Sequence, residues 1–171
     1  MEEIPDLIIV RGAPAVGKST LAKRIRQEFH KGFLVEVDNM RCILNSVDLY
    51  QKQQHLNALD ATASLIKSYL KSGYSPGIVI DSFDSTKLSI FTAKFKKINF
   101  LIISLYASND VLKNRLLNRE NGFKDWTATK YLNEEIINHR NNNEILLDTS
   151  ESSKEQVAQS FLQAVLKTKS V

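Results

Sequence analysis

Residues 12 to 19 read Gly12-Ala13-Pro14-Ala15-Val16-Gly17-Lys18-Ser19, a glycine, four residues, then Gly-Lys-Ser. Each residue type at this spacing suits a polyphosphate. Gly12 and Gly17 let the backbone bend tightly and approach an anion without a Cβ in the way. The intervening Ala13, Pro14, Ala15 and Val16 form a loop whose amides converge on that anion, and a following helix adds the positive end of its dipole. Lys18 is placed to reach the outer phosphates, and the Ser19 hydroxyl to ligate Mg²⁺. Thr20 continues the helix and is counted with the nucleotide cradle rather than with the metal.

Other reactive types fall at the ends of short apolar runs. Asp38 follows residues 33–37, and Arg41 stands three positions later. On a helix starting there, the two share a side. The carboxylate could accept the proton of an attacking hydroxyl, and Arg41 could fix an anionic group of the acceptor. The alternative is a capping aspartate paired with its own arginine. Asp81 ends the apolar run 77–80, suited to holding Mg²⁺ through water or positioning the acceptor. Ser82 comes next, and Asp84 reads first as a helix N-cap. Arg115 and Arg119, four apart, share a helix face ahead of a polar loop containing Gly122. Arg119 is the leading candidate for a phosphate contact and Arg115 the second; Arg140 is a weaker one. Asp148-Thr149 follows the last apolar run, where a nucleotide base or a plain turn would fit.

The elements that must position these residues alternate. Strands are expected at 7–10, 33–37, 77–80, 100–105 and 145–147. Helices are expected at 18–29, within 49–70, around 88–95, at 111–119 and 129–140, and after a capping box at Ser152 or Ser153. Strands alternating with helices argue for a parallel sheet covered on both faces, with ligands beyond the carboxyl ends of its strands.

Composition narrows the class. The 171 residues are 43% hydrophobic and 25% charged, with a net charge of +4 and pI near 9.1. That is ordinary for one globular domain spanning 1–171. The mild basicity suits a nucleotide, but no basic stripe interleaved with aromatics marks a nucleic-acid groove. The acidic N-terminal residues are unlike a signal peptide, and no apolar run is long enough to cross a membrane, so a cytoplasmic location is expected. Cys42 is alone, which excludes an intramolecular disulfide, and its apolar neighbour Ile43 suggests a buried thiol. His30, His55 and His139 lack ligand spacing for structural zinc.

With its phosphate-loop motif and element order, the chain resembles the P-loop NTPase superfamily, and within it the small kinases: shikimate, gluconate, adenylylsulfate and 5′-polynucleotide kinases. The resemblance spans nearly the whole chain. It implies a three-layer α/β/α fold with a five-stranded parallel sheet in order 2-3-1-4-5, ATP with Mg²⁺, and a mobile helical lid near 115–130. By the same resemblance Asp38 and Arg41 are similar to the D-x-x-R element of adenylylsulfate and polynucleotide kinases, Asp81 to a Walker B acid, and Arg119 to a lid arginine. The expected activity is transfer of the γ-phosphoryl group from ATP to a hydroxyl of a small molecule. Lys18, Asp38 and Arg119 are its catalytic candidates, Asp38, Arg41 and Asp81 its acceptor-side ones, and Ser19 and Asp81 its metal ones. A 5′-hydroxyl polynucleotide kinase and a non-catalytic nucleotide sensor are the competing readings. A GTPase is disfavoured because no Asn-Lys-x-Asp motif is present. The sequence does not set the oligomeric state or name the acceptor.

Overall fold

The computed structural model describes residues 4–43, 52–139, 141 and 144–167. Five strands form one parallel sheet: β1 (Leu7–Gly12), β2 (Phe33–Glu36), β3 (Gly77–Asp81), β4 (Phe100–Tyr106) and β5 (Glu144–Asp148). Their order is β2-β3-β1-β4-β5, the expected one. The helices are α1 (Lys18–Ile25), α2 (Val37–Cys42), α3 (Lys52–Lys71), α4 (Ser85–Thr92), α5 (Asn109–Leu117), α6 (Trp126–Asn138) and α7 (Lys154–Lys167).

Side-chain alternation along the strands explains the layering. Ile8 and Val10 of β1, with Ile78, Ile80, Ile103 and Leu105, pack on one face against Ala22 and Ile25 of α1 and Phe161 of α7. Leu7 and Ile9, with Val79 and Ile102, pack on the other against Leu59 and Ile66 of α3 and Phe91 of α4. Because both faces are covered, every residue of β1 and β3 is buried, and the strands read as continuous apolar runs. Phe91 packs on Phe83 with tilted rings and on Phe95 edge-on, with centroids 5.1 Å apart in each case, which fixes α4 against the exit of β3.

Several boundaries differ from the sequence expectation. The helix after the phosphate loop stops at Ile25, and a 3₁₀ turn (Arg26–Glu28) brings the buried Phe29 onto the same face. Val37 opens α2 rather than closing β2, so Asp38 lies in a first helical turn. Of the two capping-box alternatives, the Ser153 one forms: the Ser153 amide donates to Gln156 Oε1 at 2.8 Å, and the Gln156 amide to Ser153 Oγ at 3.2 Å. Cys42 is exposed, not buried, because the short α2 turns its last residue away from the sheet. Arg140 lies outside the described residues. Among those residues no helix is long and apolar enough to cross a membrane.

Inside the sheet sits a charge that the apolar pattern of β1 hides. Arg11 is fully buried. Its Nε donates to Glu144 Oε1 at 2.7 Å and to Ser104 Oγ at 2.9 Å, and its Nη2 lies 2.6 Å from Glu144 Oε1. Ser104 also bonds Glu144 directly, and the Asn141 amide donates to the other carboxylate oxygen at 3.0 Å. The network ties β1 through β4 to the edge strand β5.

Candidate active site

The phosphate loop leaves β1 and enters α1 through two left-handed residues, Ala15 (φ 65°) and Gly17 (φ 111°). Only glycine adopts the latter geometry without strain. A Cβ at Gly17 would meet nothing within 4 Å, so backbone angle alone selects the residue. Gly12 is required for a different reason. A Cβ there would fall 2.6 Å from Val16 Cγ1 and 2.9 Å from the Leu105 carbonyl, so this glycine permits close packing on β4.

Lys18 folds back over the loop. Its Nζ donates to the carbonyls of Gly12 (2.8 Å) and Ala13 (3.0 Å) and to Ser82 Oγ (3.1 Å). Burial lowers its pKa to about 8, and nearby Arg119 lowers it too; Asp81, Asp38 and Glu36 pull the other way. Ser19 Oγ donates to Glu36 Oε2 at 3.1 Å. A serine hydroxyl and a carboxylate side by side at the phosphate loop suit Mg²⁺, which takes few protein ligands and completes its shell with phosphate and water. Among the described residues no three His, Cys, Asp or Glu side chains gather as a metal site.

Beyond the phosphate loop a cavity of about 1060 Å³ opens. It is lined by Lys18, Ser19 and Thr20, by Asp38 and Arg41 of α2, and by Asp81 at the end of β3. Arg115 and Arg119 from the α5 side line it as well. The site candidates separated by up to a hundred residues thus share one space. Arg41 Nη1 donates to Asp38 Oδ1 at 2.8 Å; the aspartate side chain is 73% exposed and the arginine 14%. Asp84 caps α4, accepting from the Lys87 amide at 2.7 Å, and also pairs with the Lys87 ammonium at 2.8 Å. Burial pushes the Asp84 pKa up, but the bonds from Lys87 outweigh it and leave the carboxyl below the usual range.

Arg115 differs from a free phosphate ligand. Its guanidinium donates to Thr149 Oγ1 (3.1 Å) and to the Thr149 carbonyl (2.6 Å). Thr149 in turn donates to the Val16 or Tyr106 carbonyl, both at 3.1 Å, so the loop after β5 is anchored to the phosphate loop. Arg119 lies in the segment 118–125 that joins α5 to α6, with its guanidinium laid against Gly122. A Cβ on Gly122 would come within 2.8 Å of Arg119 Cζ, and its φ of 102° also favours glycine.

Among the cavity residues that escaped the sequence reading, His55, Glu36, Ser82 and Glu135 make polar contacts there. His55 on α3 is bonded through Nε2 to Oδ2 of the buried Asp81 at 2.6 Å. Glu36 meets Ser19. Ser82 meets Lys18. Glu135 on α6 accepts from the Ser85 amide at 2.7 Å, tethering α6 to the start of α4. Only Glu36 and Ser82 had a local signal, since Glu36 is the last residue of β2 and Ser82 directly follows β3.

Comparison with known proteins agrees with the fold. The family model described as an AAA domain matches residues 8–144. The chain belongs to that family. Among curated proteins no sequence matches it significantly. Solved structures with the same fold include a gluconokinase from Sinorhizobium meliloti 1021 (16% identity, TM-score 0.74, covering 95% of this chain and 93% of that one). A sugar kinase from Janibacter sp. HTCC2649 (17%, 0.75, 94% and 94%) and a tunicamycin resistance protein from Deinococcus radiodurans (18%, 0.70, 95% and 96%) are similar over comparable lengths. The fold of this AAA-domain chain is therefore that of the small P-loop kinases.

Proposed function

We propose that the protein is an ATP-dependent phosphotransferase that moves the γ-phosphoryl group to a hydroxyl of a small molecule. The observation that carries this reading is the continuous cavity joining Lys18 and Ser19 to Asp38 and Arg41. A sensor needs the first pair alone; a kinase needs a donor and an acceptor to meet. The kinase neighbours in fold support the same class.

In this reading the amides of residues 13–19 hold the phosphates, and Lys18 exchanges its carbonyl partners for phosphate oxygens. Ser19, Glu36 and Asp81 would hold Mg²⁺, which supplies charge neutralisation across the phosphates. Asp38, oriented by Arg41, takes the proton as the acceptor oxygen bonds to phosphorus and the bond from phosphorus to the bridging oxygen of ADP breaks. Thr20 lines the nucleotide end, and Arg115 shapes it through Thr149. The segment 118–125 serves as the lid, with Arg119 carried onto the transferring group as it closes.

A screen of hydroxyl acceptors for stimulated ADP release from Mg-ATP tests this. Lys18→Ala should weaken turnover with every acceptor. Asp38→Asn should lower transfer by about 10²–10⁴-fold, the usual contribution of a general base, while sparing ATP binding. Transfer at the parental rate in Asp38→Asn would remove the base assignment, and ATP binding without turnover on any acceptor would favour the sensor.

A further inference from the structure

Asp81 is a carboxylate held almost out of solvent, with its side chain 3% exposed. Alternation along β3 explains its direction: Ile78 and Ile80 face α1, while Val79 and Asp81 face α3. Its one side-chain hydrogen bond among the described residues comes from His55, whose Nε2 lies 2.6 Å from Oδ2. An ionised carboxylate only accepts, so Nε2 carries the proton. His55 in turn lies on the buried stripe of α3. Positions 55, 59, 62 and 66 recur at helical spacing, and Leu59 and Ile66 fill the core between that helix and the sheet.

Stability alone does not explain a polar pair at this point. Replacing a buried ionisable pair by apolar side chains of similar volume is often neutral or stabilising. The three residues before Asp81 are apolar, so the strand has such side chains to hand. Position does explain it. Both residues line the cavity, and His55 is the one α3 side chain that does so among the described residues. Asp81 stands at the carboxyl end of its strand, where a parallel sheet presents its ligand. Burial aside, it acts on the Lys18 ammonium more than any other charged group. One of its oxygens is committed to His55, and the other has no hydrogen-bond partner among the described residues. Mg²⁺ takes one or two carboxylates and keeps several waters, so a carboxylate pinned by one oxygen suits its shell.

We infer that His55 is a positioning residue for the metal of the nucleotide: by holding Asp81 through Oδ2, it sets the carboxylate that joins Ser19 and Glu36 in receiving Mg²⁺. That role rests on the Mg²⁺ assignment of Asp81 within the phosphotransfer reading. It brings α3 into the nucleotide site through a single side chain.

Calorimetry with the imido analogue of ATP tests it without any acceptor. The Kd is measured in Mg²⁺ and in EDTA, and the ratio is the factor by which the metal tightens binding. His55→Leu should lower that factor by about tenfold or more, the usual cost of losing the outer partner of a metal ligand, while the Kd in EDTA stays near the parental value. His55→Gln, whose amide reaches the place of Nε2, should restore most of the factor. Asp81→Asn should lower it as His55→Leu does, and adding His55→Leu to Asp81→Asn should change nothing further, because the histidine acts through the carboxylate. Should His55→Leu not fold, His55→Asn, polar but too short to reach Oδ2, takes its place with the same expectation. A merely structural histidine would weaken binding equally in both media and leave the factor untouched. A parental factor near one, an unchanged factor in His55→Leu, equal losses in His55→Leu and His55→Gln, or additive losses in the double variant would each overturn the role. Silence from every acceptor in the ADP-release screen would count against the kinase reading alone, whereas an unchanged factor counts against His55 even where an acceptor turns over.

Discussion

ATP binding should draw a proton from solvent at alkaline pH, and Lys18 should be the group that takes it. Burial brings this lysine to a pKa of about 8 in the free protein. At pH 8.5 about three quarters of the molecules then hold it neutral. Phosphate oxygens in place of the Gly12 and Ala13 carbonyls and Ser82 Oγ put negative charge against the ammonium and raise its pKa. Binding should therefore take up about 0.7 proton per ATP at pH 8.5 and about 0.1 at pH 7, if the bound pKa passes 9.5. Titration calorimetry in buffers of different ionisation enthalpy reads this number directly, and at pH 8.5 the phosphates of ATP are already fully ionised. The same linkage makes affinity fall by about tenfold between pH 7 and pH 9. Lys18→Arg should abolish the uptake, because arginine stays charged throughout. Uptake near zero at pH 8.5, or unchanged uptake in Lys18→Arg, would refute the assignment.

The remaining predictions concern stability. Lys18 is protonated to pH 10.5 when unfolded but only to about 8 when folded. Its burial thus costs stability below pH 8, and the cost fades as pH rises to 10.5. Lys18→Met should accordingly stabilise the nucleotide-free protein at pH 7 by about 1–2 kcal/mol, after the loss of three hydrogen bonds, with the gain gone near pH 10.5; urea melts at the two pH values check it. Gly12→Ala should destabilise by about 2–4 kcal/mol through its clash with Val16 and Leu105, whereas Gly17→Ala should cost about 1–2 kcal/mol of backbone strain; thermal melts separate the two. Arg11→Met should cost about 3–5 kcal/mol by leaving Glu144 buried and unpaired, and Arg11→Met with Glu144→Leu should recover most of it in the same melts.

What the sequence disclosed follows from distance along the chain. Gly12 to Ser19 is one uninterrupted segment, so its spacing carries its geometry. Asp38 and Arg41 are a turn apart, so spacing alone suggests the 2.8 Å contact that they make, which both readings of the pair share. The strands were legible because burial on both faces leaves a run of apolar residues. His55 and Asp81, 26 residues apart, meet only because α3 packs over β3. Glu135 reaches Ser85 across 50 residues. No local pattern marks His55 or Glu135, since each looks like a solvated position on its own helix. Arg11 hid for the opposite reason: it continues an apolar strand, and the glutamate that neutralises it belongs to the last strand of the sheet.

That last pairing bears on when the nucleotide site comes into being. Arg11 precedes the phosphate loop by a single step, while Glu144 is 133 residues downstream. During synthesis β1 leaves the ribosome first, but a guanidinium cannot be dehydrated before its counterion arrives. The row of the sheet holding Arg11 must therefore stay wet until β5 has docked. The row at Arg11 consequently cannot be sealed from water before the edge strand docks, so the loop that follows it depends on a contact made 133 residues away. A chain cut short ahead of Glu144 would carry the whole phosphate-loop motif and still lack the carboxylate that lets the end of its strand be buried.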